Sequence, residues 1–127
     1  MSRFEEVPQV TASTAALALI GRLAQQHGEL MFHQSGGCCD GSAPMCYPAG
    51  EFQLGDRDRL LGRIGGMPFY ISEAQYEYWR HTQLIIDVVP GRGGMFSLEG
   101  PLGLRFLTRS RLYDEAELQW LADHGRL

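Results

Sequence analysis

Leu84-Ile-Ile-Asp-Val-Val89, running into Pro90-Gly-Arg-Gly-Gly94, is the stretch from which the fold class can be read. Its β-branched residues favour a pleated, half-buried strand, and the glycine-rich run after it is a turn. Downstream, Met95 to Glu99 and Leu104 to Arg109 read as two further strands joined across Gly100-Pro101 in a meander. Connections this short join antiparallel neighbours, because a parallel crossover needs a dozen residues or more. The sheet is therefore expected to be mixed or antiparallel rather than doubly wound.

Helices bracket these strands. Ser72 opens a middle helix, with Gln75 three residues on as a capping-box partner and Ile71 able to staple onto Tyr76. Asp114 caps a C-terminal helix, with Glu117 at the matching position, Tyr113 facing Leu118, and Gly125 near its end. Towards the N-terminus a helix is expected from Ser13 to His27, with Leu17, Ile20, Leu23 and Ala24 on one face and Gly28 as its stop. Between the first two helices, Glu29 to His33, Glu51 to Leu54 and Met67 to Ile71 read as strands. Asp56-Arg-Asp-Arg59 reads as a solvated connector. The sum is an α+β domain over 1–127, with residues 1–10 as a loose arm.

Composition narrows the function. With a net charge of −4 and only 11 basic residues, the chain offers no basic stripe for nucleic acid. Its apolar run Ala15-Ala-Leu-Ala-Leu-Ile20 is too short to span a bilayer, and Glu5 and Glu6 before it make a poor signal peptide. A cytoplasmic location is the expectation.

The chemistry concentrates in Ser35-Gly-Gly-Cys-Cys-Asp-Gly-Ser-Ala-Pro-Met-Cys46, which holds all three cysteines of the chain. Glycine and proline around them make the backbone turn, so thiolates can converge. In a reducing compartment, clustered thiols point to metal binding or catalysis before structural disulfides. Cys38, Cys39 and Cys46 are candidate thiolate ligands for zinc or iron, with His33 or Asp40 as a fourth donor. Two rivals stay open. Cys38 and Cys39 can form a strained vicinal disulfide, or one can be a reactive thiol with Cys46 as its resolving partner. Alternatively, the loop is a rigid turn and the thiols are incidental.

Elsewhere the signals are weaker. His27 and His81 fit helix C-termini, where a positive imidazole complements the dipole. His124 carries no signal. Gly91-Arg-Gly-Gly94 reads as a tight hairpin rather than an anion nest. Asp87 and Glu99 are strand carboxylates that either support a ligand from behind or face solvent. Tyr76, Tyr78, Trp79 and Trp120 read as core or interface.

Two resemblances add to this. The run Phe32-His-Gln-Ser-Gly-Gly-Cys-Cys-Asp-Gly-Ser-Ala-Pro-Met-Cys46, with Ile86-Asp-Val-Val-Pro-Gly-Arg-Gly-Gly-Met-Phe-Ser-Leu-Glu99, resembles the bacterial family catalogued as domain of unknown function 779 from about Thr11 to Tyr113. Genes of that family often lie beside aldehyde dehydrogenase genes, which implies an accessory role in aldehyde or alcohol oxidation. More loosely, the order of strand, Gly-Gly-Cys loop, helix, Ile-Asp-Val-Val and glycine turn is similar to the HesB-like A-type iron–sulfur carriers. Their loop cysteine would correspond to Cys38 or Cys39. This chain lacks the carriers' C-terminal Cys-Gly-Cys, so a metal site here would draw on Cys46 and His33.

The expectation is a small cytoplasmic metal-binding accessory protein. The alternatives are a thiol-redox protein using the same loop, and a non-catalytic adaptor that docks an aldehyde dehydrogenase through Tyr78 or Trp79. Edge strands in so small a sheet make a homodimer reasonable.

Overall fold

A computed structural model of the chain describes residues 7–34, 44–50, 58–91 and 97–126, without the side chains of residues 78 and 79. The strand read first from the sequence is β6 (Thr82–Pro90). It lies at the centre of a three-stranded sheet, between β1 (Val10–Ala12), with which it runs parallel, and β7 (Leu104–Leu112), with which it runs antiparallel. A second sheet of four strands has the order β3 (Met45–Pro48), β2 (Leu30–Gln34), β5 (Met67–Ser72), β4 (Asp58–Ile64). Within it β2 and β5 are parallel and the outer pairs antiparallel. With the three helices α1 (Thr14–His27), α2 (Glu73–Trp79) and α3 (Glu115–Asp123), this is the expected α+β architecture with mixed sheets.

Local chemistry sets the helix ends. Ser13 accepts a hydrogen bond from the Ala16 N–H at 3.1 Å and starts α1, and Gly28, at φ 79°, stops it. Ser72 accepts from the Gln75 N–H at 3.3 Å at the start of α2. At α3 the capping box is complete: Glu117 N–H donates to Asp114, and the Asp114 N–H donates to the Glu117 carboxylate. The buried stripe of α1 is Ala16, Leu19, Ile20 and Leu23, at helical spacing. Leu17, expected on that face, is 42% exposed, because the stripe is rotated by one residue from the expected one.

The main core lies between the inward faces of the sheets, with α1 against them. β2 contributes Leu30 and Phe32, β5 Phe69 and Ile71, β6 Leu84 and Ile86, and β7 Phe106. Phe32 stacks on Phe69 at 6.2 Å and meets Phe106 edge-on at 5.2 Å, so one ring ties the sheets together. Val7, Tyr113 and Leu121 form a smaller cluster under α3. No helix among the described residues is long and apolar enough to cross a membrane.

Four sequence expectations need correction. The supposed connector at Asp58-Arg59 begins β4, an edge strand whose charges and register shift between Leu60 and Gly62 hide its strand character. Met45–Pro48, expected as loop, is a strand; Pro48 is tolerated at its end because β3 is an edge. The end of the expected loose arm is anchored, with Val7 and Val10 buried. Ser97 to Glu99 form no strand: Leu98 and Glu99 turn into a 3₁₀ turn at Gly100–Leu102, so β6 and β7 pair directly rather than through a middle strand. The strands expected at 51–54 and 95–96 lie outside the described residues.

Candidate site at the base of the cysteine hairpin

β2 and β3 pair antiparallel with Leu30 opposite Pro48 and His33 opposite Met45. The cysteine-rich stretch is therefore the connection of a β-hairpin, held at both ends by paired strands. Cys38, Cys39 and Asp40 belong to this connection and lie outside the described residues. Cys46 and His33 do not, and the structure places both.

Cys46 lies opposite Phe32, and His33 is the next residue along β2. Successive strand residues point to opposite faces, so the thiol projects into the core and the imidazole projects away from it. The two members of the expected ligand set that are described do not converge while β2 and β3 stay paired. Among the described residues, no three of His, Cys, Asp and Glu come close enough together to hold a metal ion.

The inward face is sealed. Cys46 is fully buried, its N–H donates to Ser97 Oγ at 2.9 Å, and its carbonyl accepts from the Leu98 N–H at 3.0 Å. Burial, and then the carboxylate of Glu99, push its thiol far above the ordinary range. A thiol in that setting stays protonated and is a poor nucleophile. Glu99 itself is fully buried, accepting from Ser97 Oγ at one oxygen and from the Phe106 N–H at the other, at 3.1 Å. Beside it, Thr108 Oγ1 donates to Gln34 Oε1 at 2.7 Å, both residues being fully buried. The buried carboxylate of Glu99 is thus met by two neutral donors, the Ser97 hydroxyl and the Phe106 N–H.

The outward face is different. His33 Nε2 lies 2.7 Å from Asp58 Oδ1, with the two side chains 5% and 14% exposed. A carboxylate on one ring nitrogen fixes the orientation of an imidazole, which is how metal-bound histidines are commonly held.

Sequence reasoning read Asp58 as solvated and gave no role to Ser97, Gln34 or Thr108. A signal for Asp58 was its distance from the apolar Leu60-Leu61: a charge just before such a pair fits the start of an edge strand. Glu99 is enclosed, which excludes the solvent-facing alternative. Trp120 stacks on His124 at 3.9 Å and belongs to the cluster under α3.

Fold and site together define a two-sheet α+β protein with one thiol, that of Cys46, buried in a hairpin strand beside Ser97, and with the carboxylate of Glu99 enclosed in the interior. The chain belongs to the family described as Domain of unknown function (DUF779), whose model matches residues 19–112. No curated protein matches it.

Proposed function

We propose that the protein is a small metal-binding accessory factor, holding zinc or iron at the β2–β3 connection through Cys38, Cys39 and His33. Asp58 orients His33, and Cys46 is left out of the ligand set. The observation that carries this reading is the enclosed His33–Asp58 contact at 2.7 Å, set two residues before the thiol-bearing connection on the same strand. In this reading the factor serves aldehyde or alcohol oxidation, with an aldehyde dehydrogenase as its partner. Kinship with HesB-like carriers would put Cys38 or Cys39 in the place of their loop cysteine. One observation narrows the redox alternative: Cys46 is a poor resolving thiol, so a disulfide here would have to join Cys38 to Cys39.

Elemental analysis of freshly purified untagged protein, with a thiol count before and after denaturation in chelator, tests this. Near-stoichiometric zinc or iron is expected, lost in Cys38→Ser, Cys39→Ser and His33→Ala and kept in Cys46→Ala. Full metal in the first three variants, or metal lost from a folded Cys46→Ala, would overturn the proposed ligand set. Metal-free protein with a single titratable thiol would favour the Cys38–Cys39 disulfide.

A further inference from the structure

The two sheets approach each other at the edges formed by β1 and β4, which pair only with β6 and β5 respectively. They meet at Val10 and Gly62, where a Cβ added to the glycine would stand 3.0 Å from Val10 Cγ1. The edges part beside this contact to leave a cleft of about 470 Å³. Gln9 and Val10 line one wall and Arg59 to Arg63 the other, together with Arg126. Among the described residues, no Asp or Glu lines it.

Two arginines of this cleft, Arg59 and Arg63, contrast with three elsewhere. Arg80, Arg109 and Arg111 each meet a carboxylate, on Glu77, Asp87 and Glu117. Arg59 and Arg63 meet none among the described residues. Arg59 lies flat over Tyr76, its guanidinium carbon 3.8 Å from the ring centroid. Tyr76 is in turn fixed by its hydroxyl, which donates to the Arg126 carbonyl at 2.6 Å, and Gln9 Nε2 donates to the same carbonyl at 3.2 Å. Among the described residues, Arg63 donates to the Gly66 carbonyl, at 3.5 Å. All 11 basic residues of the chain are arginine, and none is lysine. A guanidinium presents planar paired donors that match an oxyanion, and stacking on an aromatic ring holds the plane without using those donors. Unpaired strand edges add backbone donors and acceptors to the walls.

We propose that the cleft between β1 and β4 binds the oxyanion group of a small molecule, a phosphate or a carboxylate, through Arg59 and Arg63. This site is separate from the cysteine hairpin and does not depend on the metal reading. The full chain is tested by thermal unfolding in inorganic phosphate and in succinate, each against sodium chloride at equal pH and ionic strength. Binding shows as a rise in Tm of about 3 °C or more over chloride. A rise with phosphate alone identifies a phosphoryl ligand, and a rise with succinate identifies a carboxylate. Arg59→Gln and Arg63→Gln should each remove most of the rise; Arg63→Gln serves if loss of the Tyr76 stacking unfolds the first. No rise over chloride with either anion, or a rise that survives in both variants, would overturn the proposal.

Discussion

The hairpins β2–β3 and β6–β7 are built from the same element and treat polar groups in opposite ways. In β6–β7, nine residue pairs run from Thr82 opposite Leu112 to Pro90 opposite Leu104. Two of its arginines are matched by carboxylates: Arg109 by Asp87 at 3.0 Å, and Arg111 by Glu117 of α3 at 2.6 Å. In β2–β3 only four pairs form, and every residue of β2 is buried. Polar groups on its inward face meet hydroxyls and amides, as Gln34 does Thr108 and the Cys46 backbone does Ser97, and only His33 among those named turns outward, onto Asp58. Water can replace a lost partner on the long hairpin but not beneath the short one. Energetic consequence should therefore track enclosure rather than formal charge.

The largest effect is expected where the two hairpins touch. Phe32→Ala removes the ring that meets both Phe69 and Phe106 and should cost ~3–5 kcal/mol in urea unfolding. A loss below about 1 kcal/mol would mean that the hairpins do not share a core. Next comes Glu99. Glu99→Ala strands the Phe106 N–H and the Ser97 hydroxyl in the interior, and a loss of ~1–3 kcal/mol is expected. Glu99→Gln keeps an acceptor and should cost clearly less. Equal losses in the two variants would show that charge, not acceptor geometry, is what the enclosed site requires.

The same contrast explains what could be read from the sequence. β6 was legible because a run of β-branched residues followed by a glycine turn has few other interpretations. The caps at Ser72 and Asp114 were legible because capping is a local hydrogen bond between residues a few positions apart. β3 and β4 were not. Each is an edge strand with proline, glycine or charge in it, and β4 also carries a register shift that breaks its alternation. The site divides in the same way. The gathering of thiols was plain in the chain, but which face each strand residue takes depends on register. Register set Cys46 into the core and His33 away from it, separating two residues that looked like partners. Asp58 and Ser97, which complete the two faces, are reached only through that register.

The smallest expected effects lie on the long hairpin, and they rank two contacts to one carboxylate. Asp87 accepts from Ser13 Oγ at 2.8 Å, from the Val88 N–H at 2.8 Å and from Arg109 Nε at 3.0 Å. Together these hold its carboxyl below the ordinary range, with the Ser13 hydrogen bond contributing most. A carboxyl lowered by folding adds stability that is fully present above its ordinary value of 3.8 and is lost as pH falls through the lower folded value. Ser13 also caps α1, so Ser13→Ala removes two contacts in one step and should cost ~0.5–2 kcal/mol at neutral pH. Arg109→Ala breaks a solvent-screened pair whose arginine is 52% exposed, and its cost should stay under about 1 kcal/mol. Urea unfolding from pH 7 down to pH 2 separates them. The gap between Ser13→Ala and the parent should narrow below pH 4, as protonated Asp87 stops gaining from the hydroxyl, but the capping share should remain. An Arg109→Ala loss larger than that of Ser13→Ala would reverse the ranking and make the β6–β7 ion pair, rather than the contact to the helix start, the stronger hold on Asp87.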